Sequence, residues 1–317
     1  MSSGRDGAEA QGRSEHEGIC YSGYREGQSP DEGIFPSVDE VAEDLRILAK
    51  RWRKIRIYDS GPHAERVLEA IQREGLDLEV LLGAYVRAEV SNHECPWGGV
   101  YDEATLADNV AKNEAEIGRA IALATRFPAL VGSVSAGNES TVSWSGNLVP
   151  VERMIHHVRR LKAAIDQPVT FCENHVPWMD KLAPLVPELD FISVHSYPVW
   201  EYRSIEEALA VTAEDQQRVQ ARYPGVKVAI TEAGWTTRSN GRGIEPHNAS
   251  PELQAHYYAR LSAWARQHGV LTYVFEAFDE PWKGSDDPDE PEKHWGLFTM
   301  DRRPKPAMAE LYPELVA

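Results

Sequence analysis

The hydrophobic positions of this chain fall into short apolar runs separated by longer amphipathic stretches. Eight runs are rich in Val, Ile, Tyr or Phe and end in polar or aromatic residues, as buried parallel strands do: 18–24, 54–59, 79–86, 130–139, 169–175, 191–198, 226–235 and 272–282. Between them, the apolar spacing predicts helices over 37–53, 62–74, 103–126, 150–166, 177–187, 204–222, 250–268 and 304–315. Capping boxes at Ser37–Glu40 and Ser204–Glu207 mark two of the helix starts.

This alternation of strand and helix indicates the fold class. Eight repeats within about 300 residues predict an α/β fold of one domain, a (β/α)8 TIM barrel. A doubly wound open sheet competes with it, but the segment 22–30 after the first strand lacks the G-x-G-x-x-G turn of that fold. We assign residues 18–317 to the barrel and interpret the polar residues 1–17 as a disordered N-terminal tail.

Composition and charge exclude several classes of partner. The chain has 317 residues with 33 Lys and Arg against 50 Asp and Glu, a net charge of −17 that disfavours nucleic acids. No apolar run reaches about 18 residues, so we expect no membrane-spanning helix. The N-terminus has no signal-peptide pattern, so the sequence as written points to the cytoplasm; prior removal of a signal peptide would make the protein secreted or periplasmic. The odd number of cysteines, three, argues against a disulfide framework.

The ends of the predicted strands carry the candidate chemistry, because barrel active sites form at the carboxyl ends of the strands. Charged, amide, imidazole and aromatic side chains gather there: Tyr24, Arg56, Tyr58, Asn138, Glu139, Glu173, His175, His195, Tyr197, Glu232, Trp235, Glu276, Glu280, Trp282 and Lys283. Seven of the nine tryptophans also follow strand ends, namely Trp97, Trp144, Trp178, Trp200, Trp235, Trp282 and Trp295. Aromatic rings beside carboxylates suit a sugar, whose ring faces stack while its hydroxyls accept and donate hydrogen bonds.

Two carboxylates on one rim can hydrolyse a glycosidic bond, one as nucleophile and the other as acid and then base. Glu139 and Glu232 lie at the ends of the fourth and seventh predicted strands, which can face each other across one pocket. A metal-dependent sugar isomerase or hydrolase, with Glu173, His175, His195 and Glu232 as ligands, is a rival interpretation, although no H-x-E or H-x-x-x-H pair is present. A carbohydrate-binding barrel without catalysis is the second rival.

Five segments, taken in order, resemble family 17 glycoside hydrolases, the β-1,3-glucanase family. They are Gly18-Ile-Cys-Tyr-Ser, Arg56-Ile-Tyr-Asp59, Ala136-Gly-Asn-Glu139, Ile230-Thr-Glu-Ala-Gly-Trp235, and Phe275 to Lys283 followed by His294-Trp-Gly-Leu-Phe298. The spellings Val194-His-Ser-Tyr-Pro198 and Asp279-Glu-Pro-Trp-Lys283 resemble the bacterial branch, which contains β-glucan transglycosylases as well as hydrolases. The resemblance therefore implies a retaining hydrolase of β-1,3-glucan or gluco-oligosaccharides, with a transglycosylase as the alternative.

The resemblance also implies roles for individual residues. Glu139 would be the general acid/base and Glu232 the nucleophile, Asn138 would bind the sugar 2-hydroxyl and Tyr197 would orient Glu232. The remaining substrate-binding residues would be the charged strand-eight cluster and the side chains lining the subsite around the cleaved bond: Glu276, Glu280 and Lys283, then Tyr24, Arg56, Tyr58, His195, Trp235 and Trp282. We expect a monomer whose partner is the β-glucan, with no cofactor, no metal, no nucleic acid and no membrane.

Overall fold

The computed structural model describes residues 13–316, and in that range eight parallel strands close into a barrel in chain order. The strands are β1 (Glu17–Cys20), β2 (Lys54–Arg56), β3 (Glu79–Leu82), β4 (Val131–Asn138), β5 (Val169–Asn174), β6 (Ile192–Ser196), β7 (Val228–Ala233) and β8 (Thr272–Val274). Pairing of β1 with both β2 and β8 completes the closure. The predicted single-domain (β/α)8 fold is confirmed.

Helices cover the outside of the barrel. They are α1 (Val38–Ala49), α2 (Pro62–Glu74), α3 (Glu103–Arg126), α4 (Val151–Lys162), α5 (Ile205–Arg222), α6 (Pro251–His268) and α7 (Pro306–Ala309). The capping box at Ser37 is formed: its N–H donates to the Glu40 carboxylate at 2.7 Å and its hydroxyl accepts from the Glu40 N–H. At Ser204 the N–H donates to the Glu207 carboxylate at 3.1 Å.

Two predicted helices were wrong in kind or in length. The segment 177–187 contains only short 3₁₀ turns, Pro177–Met179 and Val186–Glu188, because prolines at 177, 184 and 187 remove N–H donors that an α-helix needs. The last predicted helix, 304–315, is reduced to α7 and a 3₁₀ turn at Pro313–Leu315 for the same reason. The crossover from β5 to β6 therefore lacks an α-helix.

The start of the barrel lies inside the segment that the sequence analysis assigned to the tail. Residues 1–12 of that segment lie outside the described residues. Glu17 is the first residue of β1 and is buried, and its carboxylate accepts hydrogen bonds from Arg51 at 2.8 Å and Arg266 at 2.9 Å. These ion pairs tie the first strand to the segment that follows α1 and to α6.

The core lies between the strands and the helices and is formed by aliphatic and aromatic side chains. Cys20, Cys95 and Cys172 are free thiols, as the sequence predicts. Among residues 13–316, no helix combines the length and the apolar character needed to cross a membrane.

Local irregularities at the strand ends direct side chains into the barrel mouth. The pairing register shifts between Ser135 and Asn138 in β4, and between Val194 and His195 in β6. Such shifts re-aim the side chains that follow them. After β7, Gly234 lies so close to the next strand that a Cβ there would stand 2.1 Å from the carbonyl oxygen of Phe275, so only glycine fits.

Candidate active site

Two carboxylates and one imidazole form the centre of the barrel mouth. His195, at the end of β6, places its Nδ1 2.7 Å from Oε1 of Glu139 and 3.5 Å from Oε2 of Glu232. One oxygen from each carboxylate and one ring nitrogen of His195 all lie within 4.8 Å of one another. The carboxyl ends of β4, β6 and β7 thus bring together the two glutamates that the sequence singled out.

Glu232 is held as an anion. Arg56 donates to its Oε1 at 2.5 Å, and the Tyr197 hydroxyl donates to its Oε2 at 2.5 Å. Burial alone would raise the pKa of Glu232, but the positive charges of His195 and Arg56 and the hydrogen bond from Tyr197 lower it to about 2. This carboxylate is therefore ionised at any ordinary pH and accepts its hydrogen bonds in fixed directions.

Glu139 differs from Glu232 in its access to solvent. Its side chain is 29% exposed, against 7% for Glu232. Its backbone has a φ of +42°, the left-handed region that a non-glycine residue rarely adopts, and its N–H donates to the Cys172 carbonyl at 2.9 Å. One glutamate thus borders the open cleft and the other is enclosed.

His195 carries a positive charge between the two glutamates. Burial opposes that charge, but Glu232, the Cys172 sulfur and Glu139 together raise the pKa of His195 to about 10. Burial also opposes ionisation of Cys172, whose pKa is nevertheless lowered to about 7 by Arg56 and by the hydrogen bond from His195. His195 therefore forms one cluster of charges with Glu139 and Glu232.

A second charged cluster lies beside the first, at the end of β8. Lys283 Nζ lies 2.8 Å from Glu276 and 2.5 Å from Glu280, and the Ser22 hydroxyl donates to Glu280 at 2.5 Å. Burial raises the pKa of Glu276, while Lys283 and Ser22 overcome burial at Glu280 and lower its pKa. The Phe275–Glu276 peptide bond is cis. The predicted strand-eight cluster is assembled as one buried network.

The other predicted residues divide between the mouth and the layer beneath it. Asn138 accepts a hydrogen bond from Arg56 through its side-chain oxygen. Tyr58 lies under Arg56, with the guanidinium 4.5 Å from the ring centroid. Tyr24 stands edge-on to the half-buried Trp282, with 5.8 Å between ring centroids. Arg56 is therefore a buried side chain that binds Glu232 and Asn138, while Tyr58 is half-buried and packs on Arg56.

Trp235 does not line the site, which corrects the sequence prediction. It is 1% exposed, its indole N–H donates to the Asn248 carbonyl at 2.8 Å, and its ring packs on Tyr257 of α6 at 5.5 Å. Trp178 and Trp295 are buried as well, so three of the seven strand-end tryptophans pack inside the protein.

Two further carboxylates, Glu173 and Glu292, interact electrostatically with the site and were not among the predicted sugar-binding residues. Burial, and then the negative charges of Glu139, Glu290 and Glu232, raise the pKa of Glu292 to about 7 against the opposing effect of Lys283. Burial and then the charge of Glu139 raise the pKa of Glu173 to about 7. Glu173 was predicted as a strand-end residue and as a ligand of the rival metal site. Glu292 lies in the acidic stretch 284–293, whose composition predicts a solvated loop and whose position after strand eight also allows it to border the site.

Two other groups of metal-binding residue types lie apart from the mouth. Glu114, His156 and His157 gather between α3 and α4, where Arg153 and Arg160 already pair with Glu114. His175, Glu201 and Asp215 form the other group, in which Asp215 also accepts a hydrogen bond from Ser196 at 2.7 Å. Neither group touches Glu139 or Glu232 through a described hydrogen bond or ion pair.

A (β/α)8 barrel with two close carboxylates at its mouth has the architecture of a retaining glycoside hydrolase. Residues 18–296 match the BtgE/BtgC glycoside hydrolase domain, and the chain belongs to that family. The resemblance to family 17 glycoside hydrolases drawn from the motifs is confirmed.

Named relatives share parts of this chain. A glucan 1,3-β-glucosidase of Arthroderma benhamiae is 32% identical over 130 residues, 36% of this chain and 41% of that protein. A probable glucan endo-1,3-β-glucosidase (btgC) of Aspergillus fumigatus is 24% identical over 292 residues, 86% of this chain and 40% of that protein. The chain spans between 40% and 61% of the length of the first curated relatives it matches.

Solved structures share the fold over nearly the whole chain. An endo-laminarinase from Formosa Hel1_33_131 has a TM-score of 0.80 and 25% identity, with 95% of this chain and 88% of that chain covered. A β-1,3-glucanosyltransferase from Rhizomucor miehei has a TM-score of 0.70 and 23% identity, with 92% and 95% covered. A β-glucuronidase from Dictyoglomus thermophilum has a TM-score of 0.66 and 18% identity over 96% of this chain and 50% of that chain. The last two similarities concern the fold alone.

Proposed function

We propose that this chain is a retaining glycoside hydrolase of β-1,3-linked glucan or gluco-oligosaccharides that works through a covalent glycosyl-enzyme intermediate. The observation that carries the proposal is the pair formed by Glu139 and Glu232, whose nearest oxygens lie within 4.8 Å. Retaining enzymes hold their carboxyl groups about 5–5.5 Å apart, while inverting enzymes leave about 6.5–9.5 Å for a water molecule. The names of the relatives, glucan 1,3-β-glucosidase and endo-laminarinase, support the β-1,3-glucan substrate.

The environments of the two glutamates support different roles for them. Glu232, ionised and held by Arg56 and Tyr197, attacks the anomeric carbon, and the bond to the glycosidic oxygen breaks. Glu139, which borders the cleft, gives its proton to the departing oxygen. In the second step Glu139 takes a proton from water, the water oxygen attacks the anomeric carbon, and the Glu232 carboxylate is released.

The remaining site residues bind and orient. His195 contacts both carboxylates and holds them in fixed positions while the proton is transferred. We assign Asn138 to the sugar 2-hydroxyl, since its amide is fixed by Arg56 at the carboxyl end of β4. Glu276, Glu280 and Lys283 offer carboxylate and ammonium groups for other hydroxyls, with Tyr24 and Trp282 beside them. A neutral sugar hydroxyl can donate to and accept from such groups at once.

The roles are tested by exchanging each carboxylate for its amide and changing the leaving group. With laminari-oligosaccharides, we expect Glu232→Gln and Glu139→Gln each to lower kcat/KM by about 1,000-fold or more. With 2,4-dinitrophenyl β-laminaribioside, whose leaving group needs no proton, Glu139→Gln keeps a value of kcat/KM near that of the wild type, while Glu232→Gln stays inactive. Azide added to Glu139→Gln should yield a β-glycosyl azide.

Proton NMR of the first product supplies the independent check. Retention requires that the β-anomer appear first and then mutarotate. Release of the α-anomer, or wild-type turnover of oligosaccharides by either amide variant, would overturn the mechanism.

A glucan transglycosylase is the alternative, since it shares both steps but uses a sugar hydroxyl in place of water. Exposed tryptophans favour this candidate: Trp97 is 64% exposed, and Trp144, in the loop that begins at Glu139, is 40% exposed. Such rings can hold an acceptor sugar at the cleft. Separation of the products of laminari-oligosaccharides by chain length decides between the two, because transfer makes longer chains and hydrolysis makes only shorter ones.

A further inference from the structure

Glu173 is a fully buried carboxylate at the end of β5, next to the catalytic pair proposed above. In the part of the chain that the structure describes, its oxygens accept three hydrogen bonds, all from neutral donors. Oε2 accepts from the N–H of Thr141 at 2.8 Å and from its hydroxyl at 2.7 Å, and Oε1 accepts from the Asn174 N–H at 2.7 Å. A buried carboxylate whose bonds come from neutral donors is unfavourable for folding, so its position calls for a functional explanation.

Thr141, which donates two hydrogen bonds to Glu173, lies two positions after Glu139. Thr141 is held at each of its polar groups, because Lys181 also donates to its carbonyl oxygen at 2.5 Å. The neighbour of Glu173 in β5, Cys172, accepts the Glu139 N–H through its carbonyl at 2.9 Å. Strand β5 therefore fastens both ends of the three-residue turn that starts at Glu139.

That turn needs fastening, since Glu139 has a φ of +42°. For a residue with a side chain, the left-handed region is unfavourable and persists only where the surroundings enforce it. The same conformation aims the Glu139 carboxyl at His195, 2.7 Å away, at the edge of the cleft. A turn that relaxed would move the carboxyl away from the glycosidic oxygen.

We propose that Glu173 is a positioning residue for Glu139, which acts by clamping Thr141 and so enforcing the backbone conformation that points the acid/base carboxyl into the cleft. The inference rests on the proposed function, because it gives Glu173 no task unless Glu139 transfers a proton. It predicts that loss of the clamp harms the proton transfer and spares the attack by Glu232.

The leaving group of the substrate separates these two effects. In Glu173→Gln an amide nitrogen replaces one acceptor oxygen, so Thr141 or Asn174 loses a hydrogen-bond acceptor. We expect kcat/KM for laminari-oligosaccharides to fall about 10- to 100-fold, the effect of displacing a catalytic group by about 1 Å. For 2,4-dinitrophenyl β-laminaribioside, the value should stay within about threefold of wild type, because that step needs no acid.

Two further variants keep the test decisive. Thr141→Val removes one donor and keeps the shape, so it should show the same dependence on the leaving group with a smaller loss, even if Glu173→Gln folds poorly. Glu116→Gln is the matched control, because Glu116 is also buried and accepts the backbone N–H groups of Ser60 at 2.8 Å and Tyr85 at 3.0 Å. Its effect on kcat/KM should be equal for both substrates.

The outcomes distinguish the inference from the function on which it rests. Equal losses on both substrates in Glu173→Gln and Thr141→Val, or no loss on either, overturn the positioning role while Glu139→Gln still depends on the leaving group. If Glu139→Gln itself shows no such dependence, the proposed function fails first.

Discussion

At the scale of single residues, the neighbours of Glu139 and Glu232 give these two chemically identical side chains different environments. Glu232 is enclosed and receives Arg56 and Tyr197, so its pKa falls to about 2 although burial opposes this. In residues 13–316, His195 is the one cationic side chain within 4 Å of the Glu139 carboxylate, which is also partly exposed to solvent. Arg56 is central to the difference, because it also donates to the Thr231 carbonyl at 3.0 Å and to Asn138.

Replacement of Arg56 should therefore change the pH dependence of kcat/KM. The guanidinium lowers the pKa of Glu232, so Arg56→Met raises that pKa, and the nucleophile becomes protonated at a higher pH. We expect the acid limb of kcat/KM to move up by about one pH unit or more, with a loss of about 100-fold at the optimum. Tyr197→Phe removes one hydrogen bond and should move the limb less, in the same direction. An acid limb unchanged in Arg56→Met would remove the guanidinium from this role.

At the scale of strands and loops, sequence reasoning found the positions that topology dictates. All eight strands were predicted, and because parallel strands of a barrel end on one face, Glu139, His195 and Glu232 had to meet. It failed for Trp235, which follows β7 but packs on Tyr257 of α6, because a position at a strand end does not fix where the side chain points. The role of Glu173 was invisible too, since it exists only through Thr141, which is distant in the chain and unremarkable in type.

Two loops joined side by side present the exposed aromatic rings. Asn92, in the loop between β3 and α3, donates to the carbonyls of Ser143 and Ser145 in the loop between β4 and α4, each at 2.8 Å. Trp97 belongs to the first loop and Trp144 to the second. The two tryptophans therefore lie on joined loops, one of which begins at Glu139.

Truncation of these rings should change the partition of the glycosyl-enzyme intermediate between transfer and hydrolysis, without affecting the formation of the intermediate. We expect Trp144→Ala and Trp97→Ala to lower the ratio of transfer to hydrolysis about 5-fold or more with laminari-oligosaccharides. The reason is that stacking of an acceptor sugar on an aromatic ring contributes about 1 kcal/mol. Turnover of 2,4-dinitrophenyl β-laminaribioside should be unchanged. Tyr202→Ala, which removes a 73% exposed ring from the loop between β6 and α5, is the control. A product ratio that stays constant in both tryptophan variants excludes them from acceptor binding.

At the scale of the whole molecule, the protein carries a large negative charge, and the buried cations Arg56 and Lys283 of the site are paired. The net charge is −17, while Arg56 is paired with Glu232 and Lys283 with Glu276 and Glu280. An anionic sugar therefore approaches a protein of net negative charge, which repels it, whereas a neutral glucan is not repelled. The β-glucuronidases share the fold at 18–21% identity, so the fold by itself does not decide the charge of the substrate.

The salt dependence of KM tests this reading. Screening shortens the reach of surface charge from about 20 Å at low salt to about 4–5 Å near 0.5 M. For neutral laminarin, KM should stay within about twofold across that range, because no net Coulomb interaction is present to screen. For carboxymethylated laminarin, KM should be high at low salt and fall several-fold as salt is added, since salt weakens the repulsion. A KM for the carboxymethylated chain that rises with salt would mean that the mouth attracts anions, and it would move the substrate of this barrel toward the uronides.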